Sequence, residues 1–325
     1  MNKNSIVIGV DIGGTNTVAG KIASDGTCVQ KINFRTDVDD SAAFIEALKL
    51  TIQQLVESSS GTLAGIGMAA PAVNAREGVI EHSANLRWGK LPIVELIKRH
   101  FAVPVTIIND SNAAALGEMA FGSAKGLKHF MTVTLGTGLG VGIVVNRKLM
   151  EGAFGSAGEL GHMILETNGR ACGCSRNGCV ETYVSATGLC RTVFELLSYS
   201  MEQSILRGVA YEDLTANRVY DAAMQNDRLA MQAFTRTGHY LGRMLANTVA
   251  AFDPEAIILT GGLMRAEELL MRPTIESFKQ NALSFQQKRL RILRSNFTDG
   301  EGALLGAGSM VQHWDAINEM VQTEM

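Results

Sequence analysis

Proline is scarce in this chain, with five in 325 residues against 34 glycines. Aromatic residues make up 6%, and tryptophan occurs twice. So little proline excludes a proline-rich linker, and so much glycine predicts tight turns and close backbone approaches. No apolar run reaches the ~20 residues needed to cross a bilayer. The opening Met1-Asn2-Lys3-Asn4 passes straight into a strand-like run, without the apolar core of a signal peptide. A cytoplasmic protein with no membrane partner is the expectation. Charge is also sparse. Charged residues make up 19%, the net charge is −3 and the pI is near 6.1, which gives no support for a nucleic-acid surface. The five cysteines are therefore expected to be reduced, and a cluster of them suits a metal better than disulfides. Cys28 and Cys190 stand apart and read as buried small apolar residues.

The chain has room for roughly two domains of ~150 residues, and its 46% hydrophobic content predicts a sizeable core. Residues 5–10 form a compact apolar run that suits a buried strand, with the return at 18–23 and a hairpin turn at Asp25-Gly26. Apolar spacing predicts a helix over 41–57, with Ser41 as a candidate N-cap. A strand at 63–69, a short helix at 93–100, a strand at 103–108 and a helix at 113–121 follow. The pattern then restarts with a strand at 130–135, a glycine turn at 136–142 and a return at 143–145. Helical patterns dominate 186–251. A strand at 256–259, a helix around 265–270, a last strand at 287–294 and a final helix at 303–319 complete the chain. No short repeat of the solenoid kind is present. The class is α/β with two related halves.

Three segments carry chemistry. Asp11-Ile12-Gly13-Gly14-Thr15-Asn16 and Gly136-Thr137-Gly138-Leu139-Gly140 are glycine turns after strands. Without a Cβ in the way, backbone N–H groups reach phosphate oxygens, and Thr15 or Thr137 adds a hydroxyl donor. Asp11, at a strand end, suits a hydrated Mg²⁺ that bridges phosphates. Neither turn is followed by Gly-Lys-Ser/Thr, and neither reads Gly-x-Gly-x-x-Gly, so both differ from the familiar nucleotide motifs. Thr260-Gly261-Gly262 repeats the strand-to-turn theme. Second, Asn109-Asp110 stands where a strand gives way to a helix, the edge at which open α/β sheets bind ligands. Asp110 there suits either a base that takes a hydroxyl proton or a helix N-cap, a role for which Ser111 and Asn112 also qualify. Third, His162, Cys172, Cys174 and Cys179 make a complete tetrahedral zinc shell with no open position, the pattern of a structural site. Glu159 and Glu181 bracket that shell and are not needed to fill it.

Together these segments resemble the sugar-kinase branch of the ROK family (repressors, open reading frames and kinases), within the actin-like ATPase superfamily of sugar kinases and Hsp70-type chaperones. The resemblance runs from Asp11 to about Gly308. Its most specific part is Glu159-x-Gly161-His162 with Cys172-Gly173-Cys174-x4-Cys179-x-Glu181; Asn109-Asp110-x-Asn112 and the glycine turns come next. Asn85-Leu86-x-Trp88 and the Asp110 segment look most like bacterial glucokinases.

The resemblance implies two actin-like (ribonuclease H-like) lobes with a cleft between them. One lobe would cover 1–121 and be joined by the helix at 303–325; the other would cover 122–302. It implies ATP and Mg²⁺ as cofactors and a structural zinc. Asp11, Gly13, Gly14, Thr15 and Asn16 would form the first phosphate loop, and Gly136, Thr137, Gly138 and Gly140 the second. Gly261 and Gly262 would lie near the adenosine. Asp110 would be the base; Asn85, Asn109, Asp110, Glu159, His162 and Glu181 would hold the hexose. A homodimer or homotetramer is implied as well. The expected reaction is phosphorylation of the 6-hydroxyl of glucose, with N-acetylmannosamine, N-acetylglucosamine, allose or fructose as alternative sugars. The family's sugar-sensing repressors are the rival from another class. They carry a helix-turn-helix ahead of the kinase-like region, and the ten residues before Asp11 are too few for one. Two departures from the family pattern stand out: Pro71-Ala72 where Pro-Gly is usual, and Ser175 where glycine often follows the second cysteine.

Overall fold

The computed structural model describes residues 5–23, 25–81, 86–298 and 300–312. The first half of the chain contains β1 (Ser5–Ile12), β2 (Asn16–Ala23), β3 (Cys28–Arg35), α1 (Ser41–Glu57), β4 (Thr62–Ala70), β5 (Val73–Asn74), β6 (Val79–Ile80), α2 (Ile93–Lys98), β7 (Val105–Asn109) and α3 (Asp110–Ala120). Then come β8 (Phe130–Leu135), β9 (Leu139–Val145), β10 (Lys148–Leu149), α4 (Ala186–Tyr199), α5 (Ala216–Met224), α6 (Arg228–Phe252), β11 (Ala256–Thr260), α7 (Glu267–Asn281), α8 (Ser284–Gln287), β12 (Arg291–Arg294) and α9 (Glu301–Gln312).

The strands form two five-stranded sheets of the same plan, β3-β2-β1-β4-β7 and β10-β9-β8-β11-β12, plus the small β5-β6 pair. In the first, β1 runs antiparallel to β2 and parallel to β4, and β4 runs parallel to β7. In the second, β11 runs parallel to both β8 and β12. The repeated strand, glycine turn, strand of the sequence is thus the start of each sheet.

The chain divides into two compact units, 1–126 with 142–157 and 296–325, and 127–141 with 158–295. In the first, α1 lays Phe44, Leu48, Ile52 and Leu55 on the apolar face of β1 and β4. Each such fully buried side chain contributes ~1.5–3 kcal/mol over an exposed one. The small residues of α3 and α9 (Ala113, Ala114, Ala303 and Ala307) let those helices close over Ala69 and Ile108. In the second unit the long α6 packs against α4 and α7.

Several expectations shift. The cap of α1 is Asp40, whose carboxylate accepts from the N–H of Ala42 and Ala43, so Ser41 is the first helical residue. The return after the second glycine turn begins at Leu139, four residues early, because the turn closes with the Gly136 N–H on the Gly138 carbonyl. The last strand is only Arg291–Arg294; Ser284–Gln287 winds into α8. The final helix starts at Glu301, and within the described residues it reaches Gln312. The expected residues 313–319 lie outside the described residues. β3 follows the Asp25-Gly26 turn but went unread because its residues alternate apolar and polar only from Ile32 on; exposed Val29 and half-buried Gln30 break the pattern. No helix among the described residues is long and apolar enough to cross a membrane.

Asp227 offers a test of the second unit. It is 7% exposed, and its two oxygens accept from the N–H of Ala230, at the start of α6, and of Ile205. Asp227→Ala leaves both amides unpaired. A loss of ~1–3 kcal/mol in urea unfolding is expected; an unchanged midpoint would show that the carboxylate does not hold this corner.

Candidate functional site

In the first sheet, register sets the site. Asp11 pairs with Ala69, and Ala70 pairs with Asn109, so β1, β4 and β7 end together at their carboxyl edge. The Asp11–Asn16 turn and Asp110 both spring from that edge. The turn is held from inside. The Gly13 N–H donates to the Asn16 carbonyl (3.0 Å), and the Thr36 N–H donates to the Thr15 carbonyl (2.9 Å). The Thr36 hydroxyl donates to the Gly13 carbonyl (2.8 Å). Thr15 and Asn16 are exposed, while Gly13 and Gly14 are half-buried. A further glycine, Gly300, approaches from the start of α9: a methyl added there would lie 3.4 Å from Asp11 Oδ2.

The cap of α3 is neither Asp110, Ser111 nor Asn112. It is Asn109, whose Oδ1 accepts from the N–H of Ser111 (3.0 Å) and Asn112 (3.2 Å). Asp110 is thereby the first helical residue. Its Oδ1 accepts from the N–H of Ser111 (2.7 Å) and lies 3.2 Å from that residue's hydroxyl. The residue as a whole is only partly buried. Desolvation is nevertheless the largest influence on its carboxyl, raising its pKa above the ordinary 3.8 against the pull of the Ser111 donors. Ala72, two residues beyond the end of β4, sits at φ 52°, in the left-handed region that favours glycine. Asn85 lies outside the described residues.

In the second unit the Leu139 peptide gathers the other candidates. Its N–H donates to Glu181 Oε2 (3.0 Å). Its carbonyl lies 2.3 Å from where a Cβ on Gly161 would be, so only glycine lets the Glu159–His162 segment approach. A Cβ on Gly138 would meet Glu181 Oε2 at 2.4 Å, so a side chain there would displace that carboxylate. The Ala186 N–H donates to the Gly136 carbonyl (2.8 Å), and the Thr187 hydroxyl donates to the Thr137 carbonyl. Gly140 lies within β9. Gly261, at φ 97°, crosses the backbone of Leu135, and Gly262 opens a 3₁₀ turn. Glu181 and the backbone of the Glu159–His162 segment therefore both pack on the second glycine turn.

The four cluster residues converge. One ligand atom from each of His162, Cys172, Cys174 and Cys179 lies within 4.8 Å of the others. The Cys172 sulfur is 3.6 Å from His162 Nδ1, and the Cys174 and Cys179 sulfurs are 3.6 Å apart. Zn–S bonds of ~2.3 Å place sulfurs roughly 3.8 Å apart around a tetrahedral ion, so the donors fit zinc in kind and spacing. Nδ1 faces the thiols, and Nε2 lies 3.9 Å from Glu159 Oε2. Arg176 beside Cys174 lowers that thiol's pKa to about 6, while burial pushes Cys179 up to about 12.

Sequence reasoning missed Thr187, Arg191 and Tyr211. With Cys172 and Glu181 they line a cavity of about 350 Å³. The Ser185-Ala186-Thr187-Gly188 run, with Ser185 capping α4 through the Gly188 N–H, was the available signal for Thr187 alone.

The chain belongs to the ROK family, whose model matches residues 7–313. It is 35% identical over 284 residues to a glucokinase of Halalkalibacterium halodurans, covering 85% of this chain and 86% of that protein. It is 29% identical over 267 residues to the xylose repressor of Caldicellulosiruptor bescii, covering 82% of this chain and 66% of the repressor. Its fold matches the crystal structure of a ROK family glucokinase from Streptomyces griseus in complex with glucose and AMPPNP. The TM-score is 0.83 at 29% identity, with 95% of this chain and 99% of that one covered.

A raised carboxyl makes a specific claim. Between the ordinary 3.8 and its higher folded value, Asp110 binds a proton in the folded chain that it has lost in the unfolded one. Its contribution to stability therefore falls as pH rises through that window. Carbon-detected NMR should find the Asp110 midpoint above 3.8. A midpoint at or below that value would mean that the Ser111 donors outweigh desolvation.

Proposed function

We propose that this chain is an ATP-dependent hexose kinase and, most specifically, a glucokinase that makes D-glucose 6-phosphate and ADP. The observation that carries the reading is the Leu139 peptide, where a glycine turn of the phosphate-binding kind meets Glu181 and the Glu159–His162 segment. A turn whose backbone amides suit phosphate and a carboxylate suited to hydroxyls meet at Gly138 and Leu139. The relatives named as glucokinases support the choice of sugar.

The roles follow from chemistry. The turns at Asp11–Asn16 and Gly136–Gly140 hold the phosphates, with Gly261 and Gly262 toward the adenosine. Asp11 would hold the Mg²⁺, which when bound would supply the countercharge that phosphoryl transfer requires. Asp110 orients the sugar 6-hydroxyl and takes its proton as the oxygen bonds to the γ-phosphorus and the bond to ADP breaks. Desolvation suits it to this work, since a carboxylate with a raised pKa is a stronger base. Asn109, Glu159, His162 and Glu181 hold the remaining hydroxyls, because carboxylates pair with adjacent hydroxyls and discriminate against a misplaced one. Asn109 gives its Oδ1 to the helix cap, so its amide N–H₂ is what it offers a ligand. His162, Cys172, Cys174 and Cys179 would hold a zinc ion that staples the loop. A closed shell of four protein ligands leaves no position for substrate.

A coupled ADP-release assay across hexoses and N-acetylhexosamines tests the reading, with the highest kcat/KM expected for glucose. A higher value for another sugar keeps the kinase and moves the substrate. Sugar binding without turnover, together with operator DNA binding, would favour a repressor instead. Asp110→Asn should retain glucose binding and lose ~10²–10⁴-fold in turnover, the usual worth of a general base. Near-normal turnover would remove Asp110 from that role.

Metal analysis of purified protein should find one zinc per chain. Chelation should expose the three thiols to a thiol reagent and weaken sugar binding together. Full sugar affinity in metal-free protein would separate the cluster from the sugar site.

A further inference from the structure

Arg170 sits in the loop between His162 and Cys172 and is neither a metal ligand nor a candidate for any substrate. Its side chain is 8% exposed. A guanidinium carries five N–H groups in a rigid plane, and here each finds an acceptor. Nε donates to Glu195 Oε1 (2.7 Å), and Nη2 donates to Glu195 Oε2 (2.7 Å) and to the Thr192 hydroxyl (2.9 Å). Nη1 donates to the carbonyls of Thr182 (2.7 Å) and Gly188 (3.1 Å). The backbone N–H of Arg170 donates to the Tyr183 hydroxyl (2.9 Å), and the guanidinium lies 4.5 Å from the centre of the Tyr183 ring.

Two of these acceptors flank Glu181: Thr182 follows it in the chain, and Gly188 packs against its carbonyl. Cys179, one of the four clustered ligands, stands two residues before it; Thr182, bonded by Arg170, stands one residue after it. The Ser185 hydroxyl donates to the Glu181 carbonyl (2.8 Å), and the Thr182 hydroxyl donates to the Cys179 carbonyl (2.7 Å). The 3₁₀ turn Val180–Thr182 is thus gripped from both sides while its carboxylate reaches Leu139. Hydrogen bonds within the turn set its shape. The Arg170 bonds tie that shape to α4, the helix whose first residues also bond the Gly136 and Thr137 carbonyls.

We propose that Arg170 is a positioning residue for Glu181. Through Thr182 and α4 it holds the carboxylate with Oε2 on the Leu139 N–H, beside the second glycine turn. The inference deepens the kinase reading above and rests on it for the identity of the ligand. A cation with a fixed fork suits the position because it serves two carbonyls, a hydroxyl and a bidentate carboxylate at once. Lysine offers three donors around a single point and cannot reproduce that pattern.

The test uses zinc-loaded Arg170→Met, Arg170→Lys and Arg170→Ala. Arg170→Met should lower kcat/KM for the sugar roughly 10²-fold, the scale of a misplacement of about 1 Å. The loss should be carried by KM for the sugar, with zinc content unchanged. Arg170→Lys should recover little of it. Added methylguanidinium should restore sugar KM in Arg170→Ala, an effect that a general loss of stability would not show. Wild-type sugar KM in Arg170→Met would overturn the inference, as would loss carried by kcat alone. Should the Arg170 variants fail to fold, Glu195→Gln serves: it should speed hydrogen exchange at the Val180, Thr182 and Leu139 amides and raise sugar KM. Wild-type exchange at those amides would overturn the inference equally. Failure of the kinase reading would show separately, as wild-type protein with no sugar-dependent ADP release. The exchange rates of the same amides then still decide whether Arg170 positions Glu181.

Discussion

The hydrogen bond from the Leu139 N–H to Glu181 organises this molecule's candidate site. Leu139 is the last residue of a glycine turn and the first of a strand, so its amide has a direction fixed by β9. A carboxylate placed on that amide closes the turn without filling it. The arrangement works only if nothing else occupies the space, which is why Gly138 and Gly161 are glycines on either side of Leu139. An alanine at 138 would push the carboxylate off its donor. An alanine at 161 would lift the Glu159–His162 segment from the strand.

A carboxylate used in this way must be held against solvent competition, and the surrounding structure supplies the holding. A thiol-and-imidazole cluster converges at Cys179, where a bound metal would grip the chain, and a fully paired guanidinium grips it at Thr182. The two devices differ in kind. Metal ligation draws distant loop residues to a point and needs deprotonated thiols, to which Arg176 already predisposes Cys174. Arg170 fixes directions instead, because its donors lie in one plane. A loop of irregular backbone, with few ladder bonds of its own, gains from having both.

The sequence was informative wherever a residue type is demanded by chemistry. Four metal-type ligands, two glycine turns and an Asn-Asp at a strand end were all legible, because few other residues could do those jobs. The doubled sheet was legible from the recurrence of strand and glycine turn. Boundaries and caps were less so. Asp40 against Ser41, and Asn109 against Asp110, Ser111 and Asn112, are choices among residues of equal capping ability; only the path of the preceding strand decides them. Gly140 read as part of a turn because glycine is common in turns, but β9 had already begun. Arg170, Arg191 and Tyr211 were invisible for a different reason. Their partners are carbonyls and helix residues far along the chain, and no local spacing encodes such a meeting.

The cap at Asn109 bears directly on Asp110. The first turn of a helix presents unpaired N–H groups that stabilise a negative charge. Had Asp110 served as the cap, its carboxylate would have taken two of those donors, which lowers a carboxyl's pKa and weakens it as a base. Asn109 takes them instead with a neutral amide. Asp110 shares the Ser111 N–H with that amide and has the Ser111 hydroxyl 3.2 Å away, and desolvation outweighs these donors in setting its charge. Dividing the labour between two adjacent residues satisfies the helix and leaves the Asp110 carboxyl with a raised pKa. The order Asn-Asp thus carries a chemical consequence that an Asp-Asn order would lose.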